Sequence, residues 1–186
     1  MRSLALLVML AVAILVGRIA EDNGWSRYLP QNVDDAQAQG ITYNVRSYLD
    51  EKGVVNSGLI ADAINKYSGD LDVTLILAIC EVESEWDEGA ISNMGAVGLM
   101  QVRPYYSNGK SLWYDWLREK KIIKKASDLT KIEPNIRSGC AILRECLKGK
   151  TGIATALWKY NGKPQKMLSY LDLVITKQNR ILKEIH

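Results

Sequence analysis

The 186-residue sequence predicts a mainly α-helical domain from about residue 41 to the end, and three observations carry the prediction. Apolar residues recur at helical spacing in several segments flanked by capping residues. Alternating strand-type runs are few, and the connections are short. A composition of 47% hydrophobic and 24% charged residues is that of a globular protein, and the length suits one core rather than two.

The elements follow in chain order. Met1-Arg2-Ser3 leads into the unbroken apolar run Leu4 to Val16, closed by Gly17-Arg18. Thirteen residues fit the core of a signal peptide, about 7–15 residues, and fall short of the roughly 20 that cross a bilayer as a straight helix. No small-x-small cleavage site follows the run, so residues 1–20 read as either a signal peptide or a membrane anchor extended by snorkelling of Arg2 and Arg18. Either reading places the chain in the cell envelope, exported or membrane-attached through residues 4–16. Residues 21–40 are polar, with Gly24 and Pro30, and read as a linker.

Asn56-Ser57 can cap a helix over Leu59 to Tyr67 that Ser68-Gly69 closes, and Asp70-Leu71-Asp72 starts the next. Gly89 to Gly98, with three glycines and a Ser-Asn pair, is a loop or small hairpin. Pro134 begins a helix ending at Gly149, and Gly152–Lys159 and Met167–Ile185 are helical in pattern.

Composition excludes whole chemistries. The only histidine is His186, so Ser-His-Asp and Cys-His triads have no base and histidine-rich zinc sites have no ligands. Cys80, Cys140 and Cys146 form no Cys-x-x-Cys pair, and no Gly-rich phosphate-binding signature occurs. No cofactor and no metal is called for. One disulfide plus a free thiol, or three buried thiols, both fit the cysteine count. Residues 1–100 carry six Lys/Arg against fourteen Asp/Glu, and residues 101–186 eighteen against seven. The basic half suits an anionic polymer or a solvated surface. Lys120, Lys121, Lys124 and Lys125 lack an interleaved aromatic register, and no nucleic-acid partner is expected.

Carboxylates are left to do any chemistry. Glu81, Glu83 and Glu85 alternate near the end of the segment that begins at Asp70. With Leu75 at zero and about 100° per residue, Glu81 and Glu85 fall near 240° and 280°, outside the apolar sector, while Glu83 falls near 80°, inside it. Two acids are then surface charges. The third is held among apolar neighbours, where its charged form is penalised and it can serve as a general acid; a helix-end glutamate reaching water or an arginine is the plain alternative.

Glu83-Ser84-Glu85-Trp86 continues through Ala90-Ile91-Ser92 and Gly95-Ala96-Val97-Gly98-Leu99-Met100-Gln101 to Pro104, followed by Asn135-Ile136-x-x-Gly139 and Tyr160-Asn161-Gly162. The set resembles the soluble-type lytic transglycosylases, relatives of goose-type lysozyme, over roughly residues 57–175. The resemblance implies a lysozyme-like domain at residues 41–186, with a small loop or hairpin region and a groove for the glycan strands of peptidoglycan. It implies that one glutamate protonates the glycosidic oxygen between N-acetylmuramic acid and N-acetylglucosamine. The same glutamate then accepts the proton of the muramyl 6-hydroxyl, giving a 1,6-anhydro end without water and without the second carboxylate of paired-acid glycosidases.

By position, Glu83 would be the acid and base, and Tyr160 matches a tyrosine whose hydroxyl lies near it. Ser92 and Gln101 match sugar-contacting positions. Met100 and Asn161 belong to the same substrate side, chiefly as supports. Tyr105, with Tyr106, Trp113, Tyr114 and Trp116, offers rings that stack on sugars or fill a core. The sequence departs from the family at Arg103, where methionine is frequent, at Lys159, where a small residue is usual, and at Gly162-Lys163-Pro164. A hydrolytic muramidase of the same fold and a non-catalytic wall-binding component of a phage particle or secretion apparatus are the other functions compatible with it.

Overall fold

The computed structural model describes residues 44–105, 113–149, 152–162 and 167–185. The apolar run 4–16, the linker 21–40 and Tyr106 lie outside the described residues. Among the described residues no helix is long and apolar enough to cross a membrane.

Seven α-helices and one 3-10 turn make up the described chain: α1 (Val45–Glu51), α2 (Ser57–Tyr67), α3 (Val73–Ser84), α4 (Tyr114–Glu119), the 3-10 turn Ala126–Thr130, α5 (Ile132–Leu147), α6 (Ile153–Asn161) and α7 (Met167–Glu184). Helix α3 is buried on every side from Thr74 to Cys80, as a helix apolar all round must be. Its N-cap is Asp72, whose carboxylate accepts from the Thr74 and Leu75 amides. Helix α7 packs along α3, α2 against α5, α5 against α6, and α1 against α2.

The expected helices are present with shifted ends. Asn56 precedes α2 in the left-handed conformation and makes no side-chain cap bond; its amide donates to Glu88 instead, at 3.0 Å. Pro134 is the third residue of α5 rather than its first. The carbonyls at the end of α2 are met from α5, where Arg144 Nη2 donates to the Ser68 carbonyl at 2.8 Å while its Nε bonds Asp70 at 2.6 Å. Residues 91–102 form the small hairpin-like region as isolated antiparallel bridges, Ile91 with Val97 and Val97 with Val102. The three cysteines are free thiols, all buried. Burial pushes the Cys140 thiol up to about 12 and the Cys146 thiol up to about 11.

Candidate active site

Helix α3 stops at Ser84 because Glu85 and Trp86 take left-handed backbone angles, φ 51° and 71°. Such angles are unfavourable for residues with a side chain and hold only where the surroundings over-determine them. Here Trp86 turns back to pack on the core. The break leaves Glu83, the penultimate helical residue, half-buried in the wall of a cavity of about 280 Å³. Glu83 is the only carboxylate among the described residues lining it.

Tyr170, on α7, donates its hydroxyl to Glu83 Oε1 at 2.7 Å. Burial and the nearby Glu83 charge push the Tyr170 phenol well above its ordinary value, so it stays a donor. The Tyr160 phenol is raised by the same two causes, burial first. Its hydroxyl donates to the Met100 carbonyl at 2.8 Å, while its ring remains half-exposed along the cavity. The tyrosine that bonds the acid is therefore Tyr170. Tyr160 fixes the loop opposite.

That loop, residues 97–102, is tied down by side chains from three helices. The Ser84 hydroxyl of α3 lies 2.9 Å from the Leu99 carbonyl. Asn135 of α5 accepts from the Met100 amide at 2.9 Å and donates to the Val97 and Leu129 carbonyls at 2.7 and 2.8 Å. Tyr160 of α6 holds the Met100 carbonyl. Two glycines permit the approach. A Cβ on Gly98, at φ +71°, would lie 2.5 Å from Asn135 Nδ2, and one on Gly139 would lie 2.3 Å from Met100 Sδ.

Of the residues singled out from the sequence, Glu83, Ser92, Gln101, Tyr160 and Asn161 all line the cavity. Ser92 Oγ accepts from the Met94 and Ala96 amides at 3.3 and 3.0 Å, which leaves its own hydrogen to donate. Gln101 Nε2 donates to the Ala90 and Gly98 carbonyls, at 3.1 and 3.0 Å, so both amide hydrogens brace the loop. Asn161 Oδ1 is buried and takes no hydrogen bond from any described residue. Met100 is fully buried beneath the cavity and does not line it. Tyr105 is exposed, does not line the cavity either, and its ring packs on Tyr114 with centroids 4.9 Å apart. Trp113, from the same aromatic cluster, does reach the wall.

The assignment of Glu81 to the surface is corrected. Its side chain keeps 15% exposure because Lys177 and Arg180 of α7 both pair with it, Lys177 at 2.8 Å. Helical periodicity placed it away from the apolar sector, and the neighbour on that side is α7 with two cations. Glu85 is exposed, as expected.

A family model for the transglycosylase SLT domain matches residues 59–182, from within α2 to near the end of α7. The chain belongs to this family. No curated protein matches it. Membership makes the SLT domain a lysozyme-like, peptidoglycan-acting unit of the lytic-transglycosylase type, with peptidoglycan as its substrate. The span matched contains Glu83, the hairpin-like loop, Asn135, Tyr160 and Tyr170. Every element that builds the cavity wall described above thus lies within the SLT domain.

Proposed function

We propose that this protein is a lytic transglycosylase that cleaves the β-1,4 bond between N-acetylmuramic acid and N-acetylglucosamine, with Glu83 as sole acid and base. The observation that carries the reading is a single half-buried carboxylate in a lined cavity, hydrogen-bonded through one oxygen to a buried tyrosine. Glu83 in its protonated form gives its hydrogen to the glycosidic oxygen as the bond from the muramyl anomeric carbon breaks. The resulting carboxylate takes the hydrogen of the muramyl 6-hydroxyl, and that oxygen closes on the anomeric carbon. Atoms balance without water, and Glu83 ends protonated. Tyr170 steadies one carboxylate oxygen throughout.

The paired-acid route to glycoside hydrolysis needs a second carboxylate flanking the bond, and the described cavity wall offers none. Ser92, with its hydrogen available, and Gln101 serve as sugar contacts. Met100, Tyr160 and Asn161 hold the wall that presents them. The apolar run 4–16 together with a peptidoglycan substrate supports placement at the cell envelope, exported or anchored.

The test is digestion of purified sacculi by wild type and Glu83→Gln, followed by product masses. Wild type is expected to release anhydro-ended fragments, one water lighter than hydrolysed ones, and Glu83→Gln to lose about 10²–10⁴ in rate while remaining folded. Fragments carrying the mass of added water would instead make the protein a hydrolytic muramidase. Cleavage by neither protein would make it a wall-binding component.

A further inference from the structure

We propose that Arg103 and Lys159 form a cationic margin of the Glu83 cavity that selects glycan strands bearing carboxylates close to the scissile bond. The inference rests on the reading of this cavity as the glycan site. Both side chains line it, and they come from separate elements: Arg103 follows the bridge residue Val102, and Lys159 lies in the last turn of α6. Arg103 Nε donates to the Tyr105 carbonyl at 3.0 Å, which orients the guanidinium. A guanidinium so held is suited to the planar, two-point contact that carboxylates accept.

Lys159 is exposed and forms no ion pair among the described residues. A cation in the last turn of a helix is favoured by the terminal carbonyls, which accounts for a lysine there but not for its place in the cavity wall. Nor does it account for a second cation reaching the same cavity from the loop. Among the described residues that line the cavity, two cations stand beside one carboxylate, a positive balance that a neutral polysaccharide would not use.

Peptidoglycan offers carboxylates of two origins. The lactyl ether of each muramyl residue is a free carboxylate in peptide-stripped strands. In peptide-bearing strands it is amide-linked, and the acids lie further out along the stem. An uncharged strand with the same sugar backbone has neither.

Three strands separate the cases: peptide-bearing, enzymatically stripped of peptide, and stripped with the lactyl carboxylates converted to neutral methyl amides. Kinetics of anhydro-product release would be followed for wild type and for Arg103→Gln with Lys159→Gln. For wild type, KM is expected to be about tenfold higher on the neutral strands than on the better carboxylated ones, with kcat changed far less. The double variant is expected to lose the distinction. A lower KM on stripped strands assigns the lactyl carboxylate, and a lower KM on peptide-bearing strands assigns the stem acids. Equal KM on charged and neutral strands, or a preference surviving in the double variant, overturns the proposal. The dissociation constants of Glu83→Gln protein for the same strands, with and without the two glutamine substitutions, read the selection independently of turnover. If no strand yields anhydro product, the catalytic reading fails and these constants still decide the role of the two cations.

Discussion

Asn135 is the residue whose replacement should report most directly on how the cavity wall is built. Its amide joins three backbone groups: it accepts from the Met100 N–H at 2.9 Å and donates to the Val97 and Leu129 carbonyls at 2.7 and 2.8 Å. Asn135→Leu keeps the branching and approximate volume of the side chain but removes all three bonds in a buried position. A buried polar group left without a partner costs about 1–3 kcal/mol. The two carbonyls each retain a lone pair that water can reach as the loop relaxes, so the total is about 3–6 kcal/mol rather than the full sum of three. Against a domain stability of about 5–15 kcal/mol that is a large share, and it corresponds to a fall in Tm on the order of 10 °C.

Asn135→Asp separates hydrogen bonding from shape. At neutral pH the carboxylate can still accept from Met100 but sets an anionic oxygen against two carbonyls, so the variant should be no more stable than the leucine one. Its ionisation is disfavoured in the folded state, so the folded-state pKa lies above the unfolded one. Stability is therefore regained as pH falls towards the unfolded value near 4, opposite to the wild-type trend. Urea melts followed by tryptophan fluorescence and far-UV circular dichroism measure both variants. A loss below about 1 kcal/mol for Asn135→Leu would refute the assignment of Asn135 as the tie between the loop and α5.

Further outcomes follow from the same geometry. Tyr170→Phe removes only the hydroxyl that bonds Glu83, so kcat should fall about tenfold with KM and the urea midpoint little changed; a KM effect without a kcat effect would count against a positioning role. Hydrogen bonds from Arg144, from Lys66 and Tyr67, and from Lys52 hold Asp70, Glu133 and Glu184 below their ordinary values. Folded values lie below unfolded ones, so that stabilisation is complete above about pH 4.5 and is lost as pH falls through the lowered values; Glu133→Gln should shallow the acid limb of a stability-pH curve. The buried thiols run the other way. Cys140 and Cys146, raised to about 12 and about 11, contribute stability that is full below pH 9 and lost as pH rises through those values. At pH 8 all three thiols should resist a thiol-specific disulfide reagent until denaturant is added, and a fast-reacting thiol in the native protein would contradict their burial.

Local signals in the sequence carried most of the helical plan. Asp72 announced α3 as a cap within three residues of its bonding partners, and Ser68-Gly69 marked the end of α2. Periodicity set Glu83 apart from Glu81, yet both are partly buried, because α3 is enclosed on every side and α7 packs against the face that reads as polar. Partners supplied from afar were not legible. Tyr170 stands 87 positions from the acid it bonds, and Arg180 stands 99 from Glu81, so no local periodicity connects them. The same limit applies to Tyr160, whose ring lines the cavity while its hydroxyl donates to the Met100 carbonyl, 60 positions away. Helix α4 was not foreseen, since its six residues are too few to establish a period and its aromatic neighbours fit a loop equally well. The left-handed angles of Glu85 and Trp86 also had no signal, because neither is a residue type that favours them.

Helix α7 grips α3 at both ends. Gln178 reaches the Asp72 cap, and Tyr170, Lys177 and Arg180 reach the acids of its last turns. During synthesis the ribosome makes Glu83 nearly ninety residues before the tyrosine that seats it. A polypeptide that stops short of α7 therefore carries Glu83 without the hydroxyl that seats it, and the geometry proposed for this acid is complete only once α7 has been made and docked on α3.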